Sequence, residues 1–318
     1  MRADAAAVTP SPLDAVQARP LRLASGVELH HVIDGQGPPL VFVHGVMGDW
    51  RSWAPQWAPF CRHYRCVSYS RRYNWPNRNT MPSPDHSALV DAEDLRGLLD
   101  GLGIARAVLV ASSYGAFAAL ALACSDPQRV AALVAVEPAM LCYADFSAAG
   151  RAERERFRAQ TIEPANAAFR RGDDALGVAL MTGGINGDAS LMNQGPAMER
   201  RRQNALAMRM LALSSNEFPL LPPQQLAALP MPVLLLSGQD TPAVHAHTFA
   251  NVVQAMPQAR VARVPGAGHA VARDQPSRFR AGPRLSCRAG RLHGHCGMSA
   301  PGRSQARIPQ HAVRRVVP

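Results

Sequence analysis

Continuous apolar runs that stop at a glycine or a proline recur along the chain. Segments 40–45, 106–111, 130–138 and 231–238 read LVFVHG, RAVLVA, VAALVAVEP and MPVLLLSG. Runs of this length without alternating polar positions are typical of strands that are buried on both faces of a sheet. Each segment is therefore predicted to be a central strand.

Weaker apolar segments predict further strands. Residues 21–34, LRLASGVELHHVID, are interrupted by a Ser-Gly pair and predict two short strands around a turn. Segment 65–70, RCVSYS, and the start of segment 259–269, ARVARVPGAGH, predict one strand each.

Helical spacing of apolar residues lies between these strands. Residues 89–102 place valine and leucine side chains on one helical face, and segments 115–125 and 247–256 also predict helices. Strands that alternate with helices imply right-handed crossover connections and a parallel sheet. The fold class predicted is α/β, with a mostly parallel sheet flanked by helices.

The middle of the chain has a different pattern. Residues 141–225 contain three helical patterns, RAERERFRAQ, ANAAFRRGDDALGVALM and MERRRQNALAMRMLAL, and no convincing strand. We therefore predict an all-helical cap over residues 141–225, inserted into an α/β core made of residues 20–140 and 226–279.

Neither end of the chain has a sequence pattern that is typical of this α/β core. Residues 1–19 lack the 7–15-residue apolar centre of a signal peptide, so we predict a flexible leader and a cytoplasmic location. Residues 280–318 are rich in Arg, Gly and Pro without any helical or strand period, which predicts an irregular tail. The abrupt change near residue 280 supports the hypothesis that this tail is translated in a shifted reading frame.

The distribution of charge argues against a nucleic-acid surface. Of the formal net charge of +11, eight arginines belong to the acid-free tail 280–318, which leaves +3 for residues 1–279. All basic residues are arginines, which indicates a compositional bias more than a designed patch. No apolar run approaches the roughly 20 residues of a membrane span.

Metal and disulfide sites are not predicted either. The six cysteines have no framework spacing, so free thiols are expected. The Cys and His residues of segment 287–296 lie in the biased tail without a scaffold, and we predict no metal there.

A candidate nucleophile lies where segment 106–111 meets the next predicted helix. A nucleophile on a sharp strand-to-helix turn needs small residues two positions before it and two positions after it. Ser113 meets this test with Ala111 and Gly115, whereas Ser112 would be flanked by Val110 and Tyr114. Ser113 is therefore the predicted nucleophile; the alternative is that the serine pair only caps the helix.

Three segments in this order resemble the α/β-hydrolase superfamily, in the branch that carries a helical cap after the sixth strand. FVHGVMG at 42–48 looks like its His-Gly loop, VASSYGA at 110–116 like its nucleophile turn, and VPGAGHA at 264–270 like its histidine loop. The resemblance spans about residues 20–279.

The resemblance implies roles for three further residues. His269 would be the base that takes the proton of the nucleophile. The backbone N–H groups of Val46 and Tyr114 would form the oxyanion hole. No cofactor and no metal are expected.

The triad acid has two candidates. Glu137 ends the sixth strand, where some family members place the acid. The family otherwise places it after the seventh strand, at a position occupied by Thr241 in this chain, and Asp240 is one position early. We favour Glu137 and keep Asp240 as the alternative.

These observations predict a serine hydrolase that acts on an ester-like, apolar small molecule through an acyl-enzyme. A cofactor-free perhydrolase related to haloperoxidases, or a carbon–carbon bond hydrolase, would use the same triad. The alternative outside catalysis is a ligand-binding or inactive member. A serine nucleophile argues against dehalogenase and epoxide-hydrolase chemistry, because those relatives use a carboxylate.

Overall fold

A computed structural model of the chain describes residues 13, 16–80, 85–192, 196–281, 287–288 and 291–292. The chain forms two units, residues 1–282 and residues 283–318. In the second unit, two short antiparallel strands are described, Cys287–Arg288 and Arg291–Leu292. Most of the predicted leader 1–19 and most of the tail 280–318 lie outside the described residues, and the reading-frame hypothesis lies there with the tail.

Eight strands of the first unit form one sheet. In chain order they are β1 (Arg19–Arg22), β2 (Glu28–Asp34), β3 (Pro39–Val43), β4 (Arg65–Tyr69), β5 (Ala107–Ser112), β6 (Val130–Val136), β7 (Val233–Gly238) and β8 (Arg260–Val264).

The spatial order of the strands is β1-β2-β4-β3-β5-β6-β7-β8. β1 and β2 pair antiparallel, β2 also runs antiparallel to β4, and every later pair in this order is parallel. The central strand β5 lies between β3 and β6, and its first five residues are buried. Its continuous apolar sequence follows from this position, because helices cover both faces of a parallel sheet.

Within the ranges that the structure describes, ten α-helices lie in the connections between these strands, and two follow β8. They are α1 (Ala54–Cys61), α2 (Ala88–Gly101), α3 (Tyr114–Ser125), α4 (Ala148–Phe157), α5 (Glu163–Arg170), α6 (Asp174–Asn186), α7 (Pro196–Gln203), α8 (Ala205–Ala212), α9 (Pro223–Ala227), α10 (Ala243–Ala255), α11 (Val271–Asp274) and α12 (Pro276–Ala281). Among the described residues, no helix is long and apolar enough to cross a membrane.

The buried helix α3 explains the small-residue segment that follows Ser113. Ten of its residues, from Tyr114 to Ala123, are buried, and the helix packs against α2 and against strands β5 and β6. Alanine and glycine allow this close approach on every side of the helix. The position of the turn before α3 is therefore fixed by the core.

The segment between β6 and β7 is helical throughout its regular elements. It begins with a 3₁₀ turn, Leu141–Phe146, and continues through α4 to α9, with a π-helical turn at Arg158–Ile162 between α4 and α5. We call residues 141–225 the helical insert. The predicted α/β class, with helices inserted after the sixth strand, is confirmed.

Candidate active site

Ser113 occupies a sharp turn between β5 and α3. Its backbone angles are φ 54° and ψ −123°, in the left-handed region that residues other than glycine rarely adopt. The backbone N–H of Ser113 donates to the Val136 carbonyl at 2.8 Å, and its carbonyl accepts from Ala116 and Ala139. Strain of this kind persists only where the surrounding structure enforces it, and it is concentrated at functional sites.

Gly115 allows α3 to start against the strand beside it. A Cβ atom at this position would lie 2.3 Å from the His44 carbonyl oxygen and 2.6 Å from that of Val43. Both atoms belong to the backbone and cannot rotate away. The small residue found two positions after Ser113 is therefore required by close packing.

His269 connects Ser113 to Glu137. Its Nε2 lies 2.9 Å from Ser113 Oγ, and its Nδ1 lies 2.9 Å from Glu137 Oε2. An ionised carboxylate only accepts hydrogen bonds, so Nδ1 carries the proton and Nε2 accepts from the serine hydroxyl. Both His269 and Glu137 are buried, which protects this chain of hydrogen bonds from water.

Glu137 has donors on both carboxylate oxygens. Oε1 accepts from the Ser237 hydroxyl at 2.6 Å and from the Gly238 N–H at 2.8 Å, while Oε2 accepts from the Thr241 hydroxyl at 2.6 Å and from His269. Burial alone would raise the pKa of Glu137. The hydrogen bond and charge of His269, with the two hydroxyls, outweigh burial and hold this pKa below its usual value.

Glu137 has a positive φ of 48°, like Ser113, and these two are the non-glycine residues with positive φ in the described part of the chain. Its N–H donates to the Leu236 carbonyl at 2.8 Å, because β6 and β7 are neighbours in the sheet. The turn at the end of β6 thus directs the carboxylate towards the end of β7.

Asp240 lies elsewhere. Its side chain is exposed, its N–H donates to the Ala267 carbonyl, and no hydrogen bond among the described residues joins its carboxylate to His269. The sequence pattern does not predict Ser237 and Thr241 as partners of Glu137. A signal was available, because Thr241 occupies the position that the family pattern gives to the acid.

The loop after β3 approaches Ser113. His44 donates from Nδ1 to the Gly45 carbonyl at 2.7 Å and accepts the Arg71 N–H on Nε2 at 3.0 Å. Burial, and then the charge of Arg71, lower the pKa of His44 to about 3, so the ring is neutral. The Asn74 amide donates to the carbonyls of Val46 and Gly48 and fixes the next turn of this loop.

The N–H groups of Val46 and Tyr114 donate to no acceptor within the described part of the chain. Both residues border the same cavity as Ser113. Their N–H groups are therefore available to an oxygen atom that arrives beside the serine.

We call the cavity beside Ser113 the inner cavity. It has a volume of about 50 Å³ and lies between the carboxyl ends of the central strands and the helical insert. Its walls are almost entirely apolar and include Leu141, Phe157, Met181, Ile185, Leu211 and Phe218. One acidic residue, Glu217, borders it, and burial raises the pKa of that carboxyl to about 7.

His245, on α10, also borders the inner cavity. Its ring stacks on the His269 ring, with centroids 3.9 Å apart and planes 21° apart. Its Nε2 lies 3.0 Å from the Ile185 carbonyl of the insert and donates to it. Burial, and then the charge of His269, lower the pKa of His245 to about 3, so this ring is neutral as well.

No group of three or more His, Cys, Asp or Glu side chains that could hold a metal ion is present among the residues that the structure describes. Cys61, Cys66, Cys124 and Cys142 are free thiols.

A family model described as "Alpha/beta hydrolase family" matches residues 40–281, about three quarters of the chain. The chain belongs to the alpha/beta hydrolase family. This match covers the three segments on which the resemblance was based, so the predicted family is confirmed.

Curated relatives in the alpha/beta hydrolase family include two animal proteins. Epoxide hydrolase 1 of Caenorhabditis elegans is 30% identical over 131 residues, which cover 39% of this chain and 31% of the worm protein. The chain thus spans about a third of that relative's length. The sn-1-specific diacylglycerol lipase ABHD11 of Mus musculus is 28% identical over 268 residues, which cover 82% of this chain and 83% of the mouse protein.

Solved structures share the fold of this family member. The esterase RhEst1 from Rhodococcus sp. ECU1013 superposes with a TM-score of 0.66 at 19% identity, covering 83% of this chain and 96% of that chain. At this identity the likeness concerns the fold.

Proposed function

We propose that the protein is a serine hydrolase that cleaves ester-like small molecules through an acyl-enzyme intermediate. The observation that carries the proposal is the continuous chain of hydrogen bonds from Glu137 through His269 to Ser113, which ends at the wall of an apolar cavity. A serine hydroxyl is a weak nucleophile until an adjacent base takes its proton.

In the first step, Ser113 Oγ attacks the carbonyl carbon of the ester. The hydroxyl proton passes to His269 Nε2, at the other end of the 2.9 Å hydrogen bond. Glu137 keeps the other ring nitrogen protonated and stabilises the imidazolium that forms, since its carboxylate is buried and ionised.

The carbonyl oxygen becomes an oxyanion during this step. We assign its stabilisation to the unoccupied N–H groups of Val46 and Tyr114. The Val46 N–H is held in place before the substrate binds, because the Asn74 amide donates hydrogen bonds to the carbonyls of Val46 and Gly48 in the same turn.

The intermediate then collapses and water completes the cycle. The bond between the carbonyl carbon and the alcohol oxygen breaks, and His269 gives its proton to that oxygen. Water attacks the acyl group, loses a proton to His269 and releases the carboxylic acid, and the same proton returns to Ser113 Oγ. Ester and water are consumed, and alcohol and acid are formed.

The helical insert serves as a cap in this proposal and selects the substrate. Most walls of the inner cavity are apolar residues of the insert, which favours a short apolar acyl group. The diacylglycerol lipase named above supports an ester substrate. Epoxide hydrolases also occur among the relatives, but Ser113 stands where that chemistry needs a carboxylate.

The test is hydrolysis of p-nitrophenyl acetate and butyrate by the wild type, Ser113→Ala and Ser112→Ala. We expect Ser113→Ala to lower kcat/KM by at least about 10³-fold, because the nucleophile is absent. Ser112→Ala, one position away, is the matched control and keeps activity within about threefold. Equal losses in both variants, or none in Ser113→Ala, would contradict the proposal.

A further inference from the structure

A second and larger depression lies behind one wall of the inner cavity. We call it the outer cleft; its volume is about 400 Å³. Residues of α4, the π-helical turn, α6 and the start of α10 border it, and charged side chains of both signs are among them: Glu153, Arg156 and Asp188. The outer cleft therefore has a mixed polar and apolar lining, whereas the lining of the inner cavity is almost entirely apolar.

The partition between the two spaces is thin. Phe157 borders both of them. On α6, Leu180 faces the outer cleft and Met181 the inner cavity, and on α10 the same holds for Val244 and His245. One layer of side chains thus separates the nucleophile's cavity from the cleft.

A series of ring contacts links His269 to the border of the outer cleft. The proton that completes the departure of the alcohol comes from His269, so the alcohol portion lies on the His269 side of Ser113. His245 stacks on His269 at 3.9 Å, and the edge of Phe157 meets His245 at a centroid distance of 6.0 Å. His269 is therefore connected through His245 to Phe157, the residue that borders both the inner cavity and the outer cleft.

The volumes also require a second space. About 50 Å³ accommodates a few water-sized groups, since one water needs roughly 10–15 Å³ on this measure. Small-molecule sites usually have volumes of about 300–1,000 Å³. Of these two spaces, the outer cleft reaches this range, so an ester with a short acyl chain and a larger alcohol would use both.

We propose that the outer cleft binds the alcohol portion of the ester and that Phe157 is the gate between the cleft and Ser113. This inference rests on the proposed serine hydrolase function. The alcohol is of a polar, hydroxyl-bearing class, because the carboxylates of Glu153 and Asp188 accept hydrogen bonds and the Arg156 guanidinium donates them. The gate residue ends α4 directly before the π-helical turn, an irregularity that is frequent at functional sites.

The test compares acetate esters whose alcohols match in carbon skeleton. Glyceryl 1-acetate and propyl acetate both have three alcohol carbons and differ by two hydroxyls, and methyl acetate barely extends beyond the acyl group. The measured quantity is the ratio of kcat/KM for glyceryl acetate to that for methyl acetate. This ratio is independent of the fraction of protein that is folded, so an unstable variant still gives an answer.

Ala189→Trp fills the outer cleft from an exposed position. We expect it to lower the ratio at least tenfold. Ala152→Trp, equally exposed on α4 but outside the cleft, is the matched control and keeps the wild-type ratio. Phe157→Ala opens the partition and raises the ratio about threefold. In the wild type, glyceryl acetate is preferred over propyl acetate.

An unchanged ratio in Ala189→Trp, or an equal fall in Ala152→Trp, would overturn the alcohol site while ester turnover stands. A ratio that does not rise in Phe157→Ala would overturn the gate, and a preference for propyl acetate would overturn the hydroxyl-bearing class. If the wild type hydrolysed none of the three esters, the proposed function itself would fail.

Discussion

At the scale of single residues, two strained positions define the site. Ser113 and Glu137 both have positive φ, and each is held by a backbone hydrogen bond to the neighbouring strand. The strain of Glu137 is compensated by four hydrogen bonds to its carboxylate. These hydrogen bonds hold the ionised carboxylate of Glu137 in one position beside His269.

The two candidate acids can be distinguished by isosteric amides. We expect Glu137→Gln to lower kcat for p-nitrophenyl butyrate by about 10²–10⁴-fold, since the amide cannot stabilise the imidazolium of His269. Asp240→Asn, with its exposed side chain, should stay within about threefold of the wild type. A larger loss in Asp240→Asn than in Glu137→Gln would reverse the assignment.

At the scale of elements, the site depends on how closely α3 approaches β3. The approach leaves no space for a side chain at Gly115, where a Cβ would lie within 2.3 Å of backbone. The end of β7 is similar, because a Cβ at Gly238 would lie 2.3 Å from the carbonyl oxygens of Ala267 and Gly268, in the loop that carries His269. Backbone packing therefore sets the distance between nucleophile and base.

Gly115→Ala tests this packing. The added methyl group must displace α3 from β3, and we expect the free energy of unfolding to fall by at least about 2 kcal/mol, together with loss of ester turnover. Gly97→Ala is the control in the middle of α2, where the three atoms nearest to the added Cβ all belong to the Leu23 side chain, the closest being Cδ1 at 3.1 Å. Urea denaturation should place Gly97→Ala within about 1 kcal/mol of the wild type; an equally small change for Gly115→Ala would refute the packing argument.

Most core elements could be predicted because their apolar patterns lie within short, continuous stretches of the sequence. Strands β3, β5, β6 and β7 are buried on both faces, so their apolar runs are continuous. The number and bounds of the helices in the helical insert were harder to predict. The helical pattern over 165–181 contains two helices, since Gly172 has a left-handed φ of 78° and Asp173 caps α6. The spacing of apolar residues alone does not show that the chain changes direction between α5 and α6.

The site could be predicted only in part. Spacing selected Ser113 because the small flanking residues are local in sequence. The choice between Glu137 and Asp240 depends on which carboxylate faces His269, and this follows from the pairing of β6 with β7 and from the turn after β6. The contact between His245 and Phe157 could not be predicted, because it joins residues about 90 positions apart.

At the scale of the whole molecule, buried ionisable groups make stability depend on pH. His44 and His245 have folded-state pKa values of about 3, against 6.5 in the unfolded chain. Below pH 6.5 the unfolded state binds protons that the folded state excludes, so stability falls as the pH is lowered towards 3. Glu217 acts in the opposite direction between pH 7 and 4.5, because its folded-state pKa is raised to about 7.

We therefore expect a net loss of stability in mild acid. Between pH 8 and pH 5, His44 and His245 each lower the free energy of unfolding by about 2 kcal/mol. Glu217, which is partly exposed, raises it by about 1–2 kcal/mol over the same range. Urea denaturation should show a net fall of about 2–3 kcal/mol in the wild type. The fall should be steeper in Glu217→Gln and shallower in His245→Phe. Identical curves for all three proteins would contradict these pKa shifts.

The proposed function requires Ser113 to be a nucleophile that is activated by His269. Covalent labelling with a fluorophosphonate probe, followed by peptide mass spectrometry, tests it most directly, because the probe phosphonylates activated serines and leaves other hydroxyls unmodified. We expect one adduct on Ser113, none on Ser112, and labelling at least about 100-fold slower in His269→Ala. A folded wild-type protein without an adduct on Ser113, or with equal labelling in His269→Ala, would contradict it.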